Sequence, residues 1–174
     1  MRIPALILAS SLLLTACASA PDAGTPSNVP TSSAPTSATA GDLAAYTVSA
    51  ELGTKPTIQI ADGAGNVTQL LTKDIVEGTG AAVQATDNVT VNYVGIGALS
   101  RQQFDASWDA GTTASFPLNG VILGWQQGLL GMKVGGRRLL VIPGDLAYGA
   151  TPPDGSGIQS NETLIFVVDL VSIP

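Results

Sequence analysis

The chain has 174 residues, of which 45% are hydrophobic and 11% charged, and its formal net charge is −6. This length fits one domain with appendages, and an acidic chain without an extended basic patch argues against a nucleic-acid partner. Histidine is absent and cysteine occurs once, which excludes Ser-His-Asp and Cys-His catalysis, imidazole metal sites and an internal disulfide. Because no EF-hand spacing is present either, we expect neither a metal nor another cofactor.

The first residues have the pattern of an exported lipoprotein. Arg2 precedes an apolar run from Ile3 to Leu14, and such a start is typical of a secretory signal peptide. A spanning helix is the weaker alternative, because it needs ~20 apolar residues. Leu14-Thr15-Ala16-Cys17 resembles the bacterial lipobox, although an ordinary signal peptide could also contain a cysteine. We therefore predict a lipoprotein signal peptide over residues 1–16 and a lipidated Cys17 that anchors the chain outside the cell membrane.

A linker and an extension are predicted before the main domain. Residues 17–41 are the predicted lipidated cysteine and a run made almost wholly of Ala, Ser, Thr, Pro and Gly, in which Asp22 is the sole charge. This composition cannot bury enough apolar surface to fold, so we predict a flexible linker whose ends lie roughly 25–30 Å apart. Residues 42–68 are interpreted as an N-terminal extension with an accessory strand at 57–60, and residues 69–174 as the main domain.

The main domain shows short runs of β-branched and aromatic residues separated by turn residues. Strict alternation in one of these runs places Val89, Val91 and Tyr93 on the same face. Residues 144–161 are too long for a simple hairpin, and loops of this length are often functional. The predicted strands are 69–76, 88–96, 102–107, 113–118, 137–142 and 163–173.

One segment has helical spacing. Ile122, Trp125 and Leu129 fall at positions i, i+3 and i+7, and we expect Asn119 or Gly120 to cap the helix. Packing must stabilise so short a helix, because it would not form alone. A single helix among many strands predicts an α+β fold in which an antiparallel sheet wraps around the helix.

Six short motifs, in this order, carry a family resemblance. They are Val91-Asn92-Tyr93-Val94-Gly95, Phe104-Asp105, Val121-Ile122-Leu123-Gly124-Trp125, Met132-Lys133-Val134-Gly135, Leu146-Ala147-Tyr148-Gly149 and Leu164-Ile165-Phe166. Together they resemble the FKBP-type peptidyl-prolyl cis–trans isomerases over about residues 69–173. The resemblance implies a half-barrel of five or six antiparallel strands around one short helix. It also implies prolyl isomerase activity.

The resemblance further implies a pocket made by eight positions of this chain. Trp125 would form its floor, while the N–H of Ile122 and the hydroxyl of Tyr148 would bind carbonyl oxygens of the peptide. Asp105 would accept a hydrogen bond from the hydroxyl of Tyr93, and these five residues form the implied catalytic set. The full set of substrate-binding positions is Tyr93, Phe104, Asp105, Val121, Ile122, Trp125, Tyr148 and Phe166.

The chain departs from the family pattern in two places. Where many relatives have an aromatic residue before the helix, it offers Ala114, although Phe116 faces the same way two residues on. In the loop after Tyr148, the candidate apolar contact is Ile158. Both changes bear on substrate preference and on inhibitor affinity more than on activity.

The sequence supports three functional hypotheses. The first is a lipid-anchored prolyl isomerase that assists the folding of exported proteins by desolvating and twisting the X-Pro amide in an aromatic pocket. The second is a chaperone module that binds proline-containing peptides with little turnover, and the third is an envelope scaffold with an idle pocket. The expected partners are flexible proline-containing polypeptides, and the pocket is also compatible with macrolide FKBP ligands. We expect a monomer.

Overall fold

The computed structural model describes residues 41–174, which form eight strands and two short α-helices. The strands are Tyr46–Val48 (β1), Ile58–Ile60 (β2), Leu71–Val76 (β3), Asn88–Gly97 (β4), Gln103–Ala106 (β5), Ala114–Pro117 (β6), Arg137–Ile142 (β7) and Leu164–Ser172 (β8). The helices are Ser107–Ala110 (α1) and Leu123–Gly128 (α2). Within this part of the chain no helix is long and apolar enough to cross a membrane. The predicted signal peptide, Cys17 and the linker up to residue 40 lie outside the described residues.

Six strands form one antiparallel sheet, in the order β3-β7-β8-β4-β5 with β6 also paired to β4. The long strand β4 pairs with β8 along one edge, and β5 and β6 share its other edge. All six strands predicted in the main domain form, with ends that differ by one or two residues at most. The predicted α+β fold with an antiparallel sheet is therefore confirmed.

Helix α2 covers one face of this sheet. Trp125 and Leu129 are 4% and 1% exposed and pack with Leu140 and Ile142 of β7 in the larger of two apolar clusters. Gly124 makes this approach possible, because a Cβ atom there would overlap the side chain of Ile142. The short helix is thus held by packing against β7, as its length requires.

The structure corrects two helical predictions. Ile122 is the N-cap of α2 and no side chain caps the helix; the predicted caps Asn119 and Gly120 belong instead to a 3₁₀ turn, Leu118–Gly120. The second correction is helix α1, which begins at Ser107 where the sequence predicted the end of a strand. Gly111 ends α1 in the left-handed conformation at φ 67°, which favours glycine.

The N-terminal extension covers the opposite face. Its side chains Tyr46 and Val67 pack on a second apolar cluster that includes Leu139, Val141 and Ile165 of the main sheet. Strands β1 and β2 form a two-stranded antiparallel sheet of their own. The sequence predicted β2 but missed β1, which has three residues and follows directly on a 3₁₀ turn.

A buried ion pair connects the extension to the sheet. Nε and Nη2 of Arg137, a residue with 0% exposure, donate to the two carboxylate oxygens of Asp169 at 2.5 and 2.7 Å. Nη1 and Nη2 also donate to the backbone carbonyls of Ser49 and Thr54 at 2.9 and 2.8 Å. The same guanidinium therefore neutralises a carboxylate on β8 and satisfies two carbonyls of the extension.

Substitution Arg137→Met is expected to lower the free energy of unfolding by about 3–5 kcal/mol, because it leaves a largely buried carboxylate and two carbonyls unpaired. Urea denaturation measures the loss. The double variant Arg137→Met/Asp169→Leu should regain roughly half of it, since no unpaired charge remains. Lys73→Met, on the exposed edge of the sheet, is the control and should change stability by less than about 0.5 kcal/mol. A comparably small loss for Arg137→Met would contradict the assigned role of the guanidinium.

Candidate active site

A cavity of about 320 Å³ lies between α2, the 3₁₀ turn before it and the strands that face them. All eight pocket positions expected from the sequence line this cavity, together with Phe116 and Gly120. Tyr148 is 38% exposed and Asp105 is also exposed, so the cavity opens to solvent. The residues lining it are Tyr93, Phe104, Asp105, Phe116, Gly120, Val121, Ile122, Trp125, Tyr148 and Phe166.

Trp125 is held by three aromatic rings that stand perpendicular to it. Its ring centroid lies 5.5 Å from that of Tyr93, 5.9 Å from that of Phe116 and 5.3 Å from that of Phe166, with interplanar angles of 86–87°. Edge-to-face contacts of this kind favour one relative orientation of the rings. The indole is therefore a fixed surface of the cavity and not a mobile side chain.

The side wall depends on a glycine. Phe104 and Phe166 meet edge to face at 5.5 Å, directly over Gly95 of β4. A Cβ atom at Gly95 would lie 2.6 Å from Phe104 and 2.8 Å from Phe166. Any side chain at this position would push the two rings apart, so the shape of the cavity requires glycine here.

The polar part of the cavity is a pair formed by Tyr93 and Asp105. The hydroxyl of Tyr93 donates to Oδ2 of Asp105 at 2.5 Å. Burial raises the pKa of Tyr93 far above its ordinary value, and the hydrogen bond and negative charge of Asp105 raise it further. Tyr93 is therefore a permanent donor, and the pair fixes the direction of a carboxylate instead of moving a proton.

A backbone donor lies at the start of α2, in a residue that lines the cavity. The carbonyl of Ile122 accepts the N–H groups of Trp125 and Gln126 at 3.0 and 3.2 Å, and the side chain of Gln126 donates to the carbonyl of Val121 at 2.8 Å. The bond from Gln126 fixes the peptide unit that carries the N–H of Ile122, and the two bonds to the carbonyl of Ile122 fix the next unit. The N–H of Ile122 donates to no acceptor within residues 41–174, so it is available to a ligand.

Two lining residues were not among the predicted pocket positions. Phe116 lies on β6 opposite Val89, and the alternation that placed it on the same face as Ala114 was the signal that could have added it. Ala114 itself and Ile158 pack at the margin of the larger apolar cluster and do not line the cavity. Gly120 gave no signal, because it contributes only backbone.

The arrangement suits an uncharged ligand with an apolar ring. Among the residues lining the cavity, Asp105 is the one carboxylate, and its Oδ2 is engaged by Tyr93. No group of three or more potential metal ligands occurs within residues 41–174. A ring could lie on the indole of Trp125 between aromatic walls while a carbonyl accepts the free N–H of Ile122.

Comparison with known proteins identifies the family. The family model for FKBP-type peptidyl-prolyl cis-trans isomerases matches residues 80–171. The chain belongs to this family. It is therefore a peptidyl-prolyl cis–trans isomerase by class, and the matched segment contains all ten residues that line the cavity. The extension that covers the other face of the sheet lies outside the match.

Individual relatives agree with this assignment. The chain is 48% identical over 119 residues to a probable FK506-binding protein of Corynebacterium glutamicum, covering 68% of this chain and 98% of the relative. It is 52% identical over 106 residues to an FK506-binding protein of Streptomyces anulatus, covering 60% and 86%. The crystal structure of FkpA from Escherichia coli superposes with a TM-score of 0.55 at 40% identity and covers 64% of this chain and 52% of that one.

The raised pKa of Tyr93 makes a prediction at alkaline pH. Because the phenol ionises less readily in the folded state, its contribution to stability is complete below pH 10 and declines as the pH rises through the folded-state pKa. The difference in phenolate absorbance between wild type and Tyr93→Phe should therefore stay near zero up to about pH 11. Half-ionisation of this phenol near pH 10 would contradict the buried, hydrogen-bonded state.

Proposed function

We propose that this isomerase acts on X-Pro bonds of exported proteins at the cell envelope, and that it does so by desolvating the prolyl amide and favouring its twisted form. The observation that carries the proposal is the aromatic cavity around Trp125, which combines one engaged carboxylate with one free backbone N–H. The residues that line this cavity include no Ser, Thr, Cys or Lys, and the one carboxylate among them accepts a hydrogen bond from Tyr93. The catalytic effect must therefore come from the environment of the amide.

The physical basis is the electronic structure of the peptide bond. Resonance gives the planar amide its rotational barrier of ~18–20 kcal/mol, and the planar form is more dipolar than the twisted one. Transfer from water to an apolar cavity therefore destabilises the planar form relative to the transition state. Lowering the barrier by about 6–8 kcal/mol would give an acceleration of about 10⁴–10⁶-fold.

Most of the lining residues have a distinct role in this mechanism. Trp125 supports the proline ring from below, and Phe104 and Phe166 confine it from the side. The N–H of Ile122 and the exposed hydroxyl of Tyr148 hold carbonyl oxygens of the peptide on either side of the ring. Tyr93 keeps Asp105 in place, so the carboxylate acts as an oriented acceptor and not as a general base.

The remaining wall explains which ligands fit. Val121 and Phe116 close the cavity with apolar surface, and both are only partly buried by the protein itself. A proline ring, or the apolar ring of a macrolide FKBP ligand, would cover them. Flexible proline-containing polypeptides are therefore the proposed substrates, since both the ring and the carbonyls on either side of it must be free to enter the cavity.

The proposed location depends on the N-terminal sequence. A short apolar run after Arg2 precedes the lipobox-like Leu14-Thr15-Ala16-Cys17, and two acyl chains on Cys17 would anchor the chain stably. The linker would then hold the domain clear of the lipid surface. Isomerisation of X-Pro bonds takes tens to hundreds of seconds and can limit the rate of folding. Exported chains that fold outside the membrane would therefore be substrates for an isomerase located there.

Proline-isomer exchange in a short X-Pro peptide tests the mechanism and is measured by NMR without a coupling protease. The wild-type protein should accelerate exchange, and Asp105→Val and Tyr93→Phe should each reduce kcat/KM about tenfold, since each removes a hydrogen bond to a charged group. Tyr46→Phe, a buried tyrosine on the opposite face of the sheet, is the matched control and should have wild-type activity. Peptide binding without acceleration would instead select the chaperone module.

Release of a Cys17→Ser variant from the producing cell tests the anchor. The variant should appear in the soluble extracytoplasmic fraction, whereas the wild-type protein stays with the membrane and gains the mass of the lipid on its N-terminal peptide. Equal membrane retention of both proteins, without a mass difference, would rule out a lipid anchor at this cysteine.

A further inference from the structure

Strand β5 forms the wall of the cavity that the sheet itself holds least firmly. It has four residues, among them Phe104 and Asp105, and it pairs with β4 alone. A bulge interrupts even this pairing between Gly95 and Ile96 of β4. A short edge strand with one interrupted ladder opens more readily than the centre of a sheet, so other contacts must position this wall.

One such contact follows the strand. Asp109 lies just after β5, in helix α1. Its carboxylate accepts hydrogen bonds from the ammonium of Lys55 at 2.5 Å and from the side-chain amide of Gln103 at 2.6 Å. Lys55 belongs to the N-terminal extension, whereas Gln103 is the first residue of β5. The carboxylate of Asp109 therefore connects the extension to the strand that carries the wall.

The second contact precedes the strand. The guanidinium of Arg101 donates to the carbonyls of Ile60 and Ala61 at 3.2 and 3.0 Å and lies 3.3 Å from the carboxylate of Asp62. Arg101 has φ +54°, a left-handed conformation that a non-glycine residue keeps only where its surroundings determine it. The turn between β4 and β5 holds that conformation through the bonds Arg101 N–H to Gly97 carbonyl and Gly97 N–H to Gln102 carbonyl, both 3.0 Å. Three acceptors from the extension then fix the side chain of Arg101.

The extension can act as a fixed support because it is anchored independently of β5. Its apolar side chains pack on Leu139 and Val141 at the centre of the sheet, and the buried guanidinium of Arg137 binds its carbonyls at Ser49 and Thr54. Through the extension, the two contacts thus attach β5 to β7, a strand that does not line the cavity.

We propose that the N-terminal extension is a positioning element of the active site, in which Lys55 and the carbonyls that bind Arg101 hold β5 at both ends and thereby set the place of Phe104 and Asp105. The inference builds on the proposed function of the cavity. Lys55 and Arg101 are positioning residues, since neither lines the cavity. Isomerase activity therefore depends on residues outside the segment that the family model matches.

Hydrogen exchange measures the position of the strand directly. Lys55→Gln and Arg101→Asn remove the two contacts, and asparagine tolerates the left-handed conformation at residue 101. The double variant should exchange the amides of residues 102–106 about tenfold faster, while those of residues 137–142 keep their wild-type rates. Lys133→Gln is the matched control, because Lys133 is a lysine of similar exposure whose ion pair with Glu77 lies away from β5.

Activity measures the consequence at the site. Under conditions where every variant is fully folded, the double variant should lose about three- to tenfold in kcat/KM, since a small displacement of a wall lowers the rate without abolishing it. Lys55→Arg should keep wild-type activity. Lys55→Asp should lose activity and regain it when combined with Asp109→Lys, because Gln103 can then present its amide oxygen to the new ammonium.

The outcomes separate the two proposals. Wild-type exchange in residues 102–106 of the double variant, or a kcat/KM within about twofold of wild type, would overturn the positioning role. If the wild-type protein bound X-Pro peptides without accelerating their cis–trans isomerisation, the proposed mechanism would fail. The positioning role would then be tested by peptide affinity. The double variant must lower that affinity, and Asp109→Lys must restore the affinity that Lys55→Asp loses.

Discussion

The structure depends on a sheet that is apolar on both faces. Leu140 and Ile142 of β7 point to the face of α2, whereas Leu139 and Val141 point to the opposite face, and all four are 0% exposed. An antiparallel sheet commonly leaves one face in contact with water. Here each face needs its own cover, because exposing either would return a row of branched apolar side chains to solvent. Helix α2 is one cover and the N-terminal extension is the other.

The cavity exists because the first cover is small. Helix α2 has six residues, so it packs over part of its face of the sheet and leaves the adjoining part to aromatic side chains that meet edge to face around Trp125. These rings contact one another and line the cavity, and Gly95 admits two of them against the backbone of β4. The site is thus an unfilled space whose walls are held in place by packed rings, and a proline ring can fill it.

The sequence could predict what alternation and motif order determine. Runs of β-branched and aromatic residues between turn residues located every strand of the main sheet, and the order of the family motifs collected eight of the ten residues around the cavity. It could not predict the cap at Ile122 or helix α1, since both depend on local turns and not on periodicity. The covering role of the extension had a signal in the unbroken apolar run Leu139–Ile142, which is typical of a strand buried on both faces.

Two adjacent residues of β7 connect these covers to one strand. Neighbouring side chains on a strand point to opposite faces, so Arg137 reaches the carbonyls of the extension while Arg138 reaches the carbonyls of Gly128 and Leu130 at the end of α2. A guanidinium there satisfies carbonyls that the helix leaves unpaired and interacts favourably with its C-terminal dipole. Asp74 on β3 accepts two further bonds from Arg138. The helix that carries the floor of the cavity and the extension that supports its wall are thereby both attached to β7.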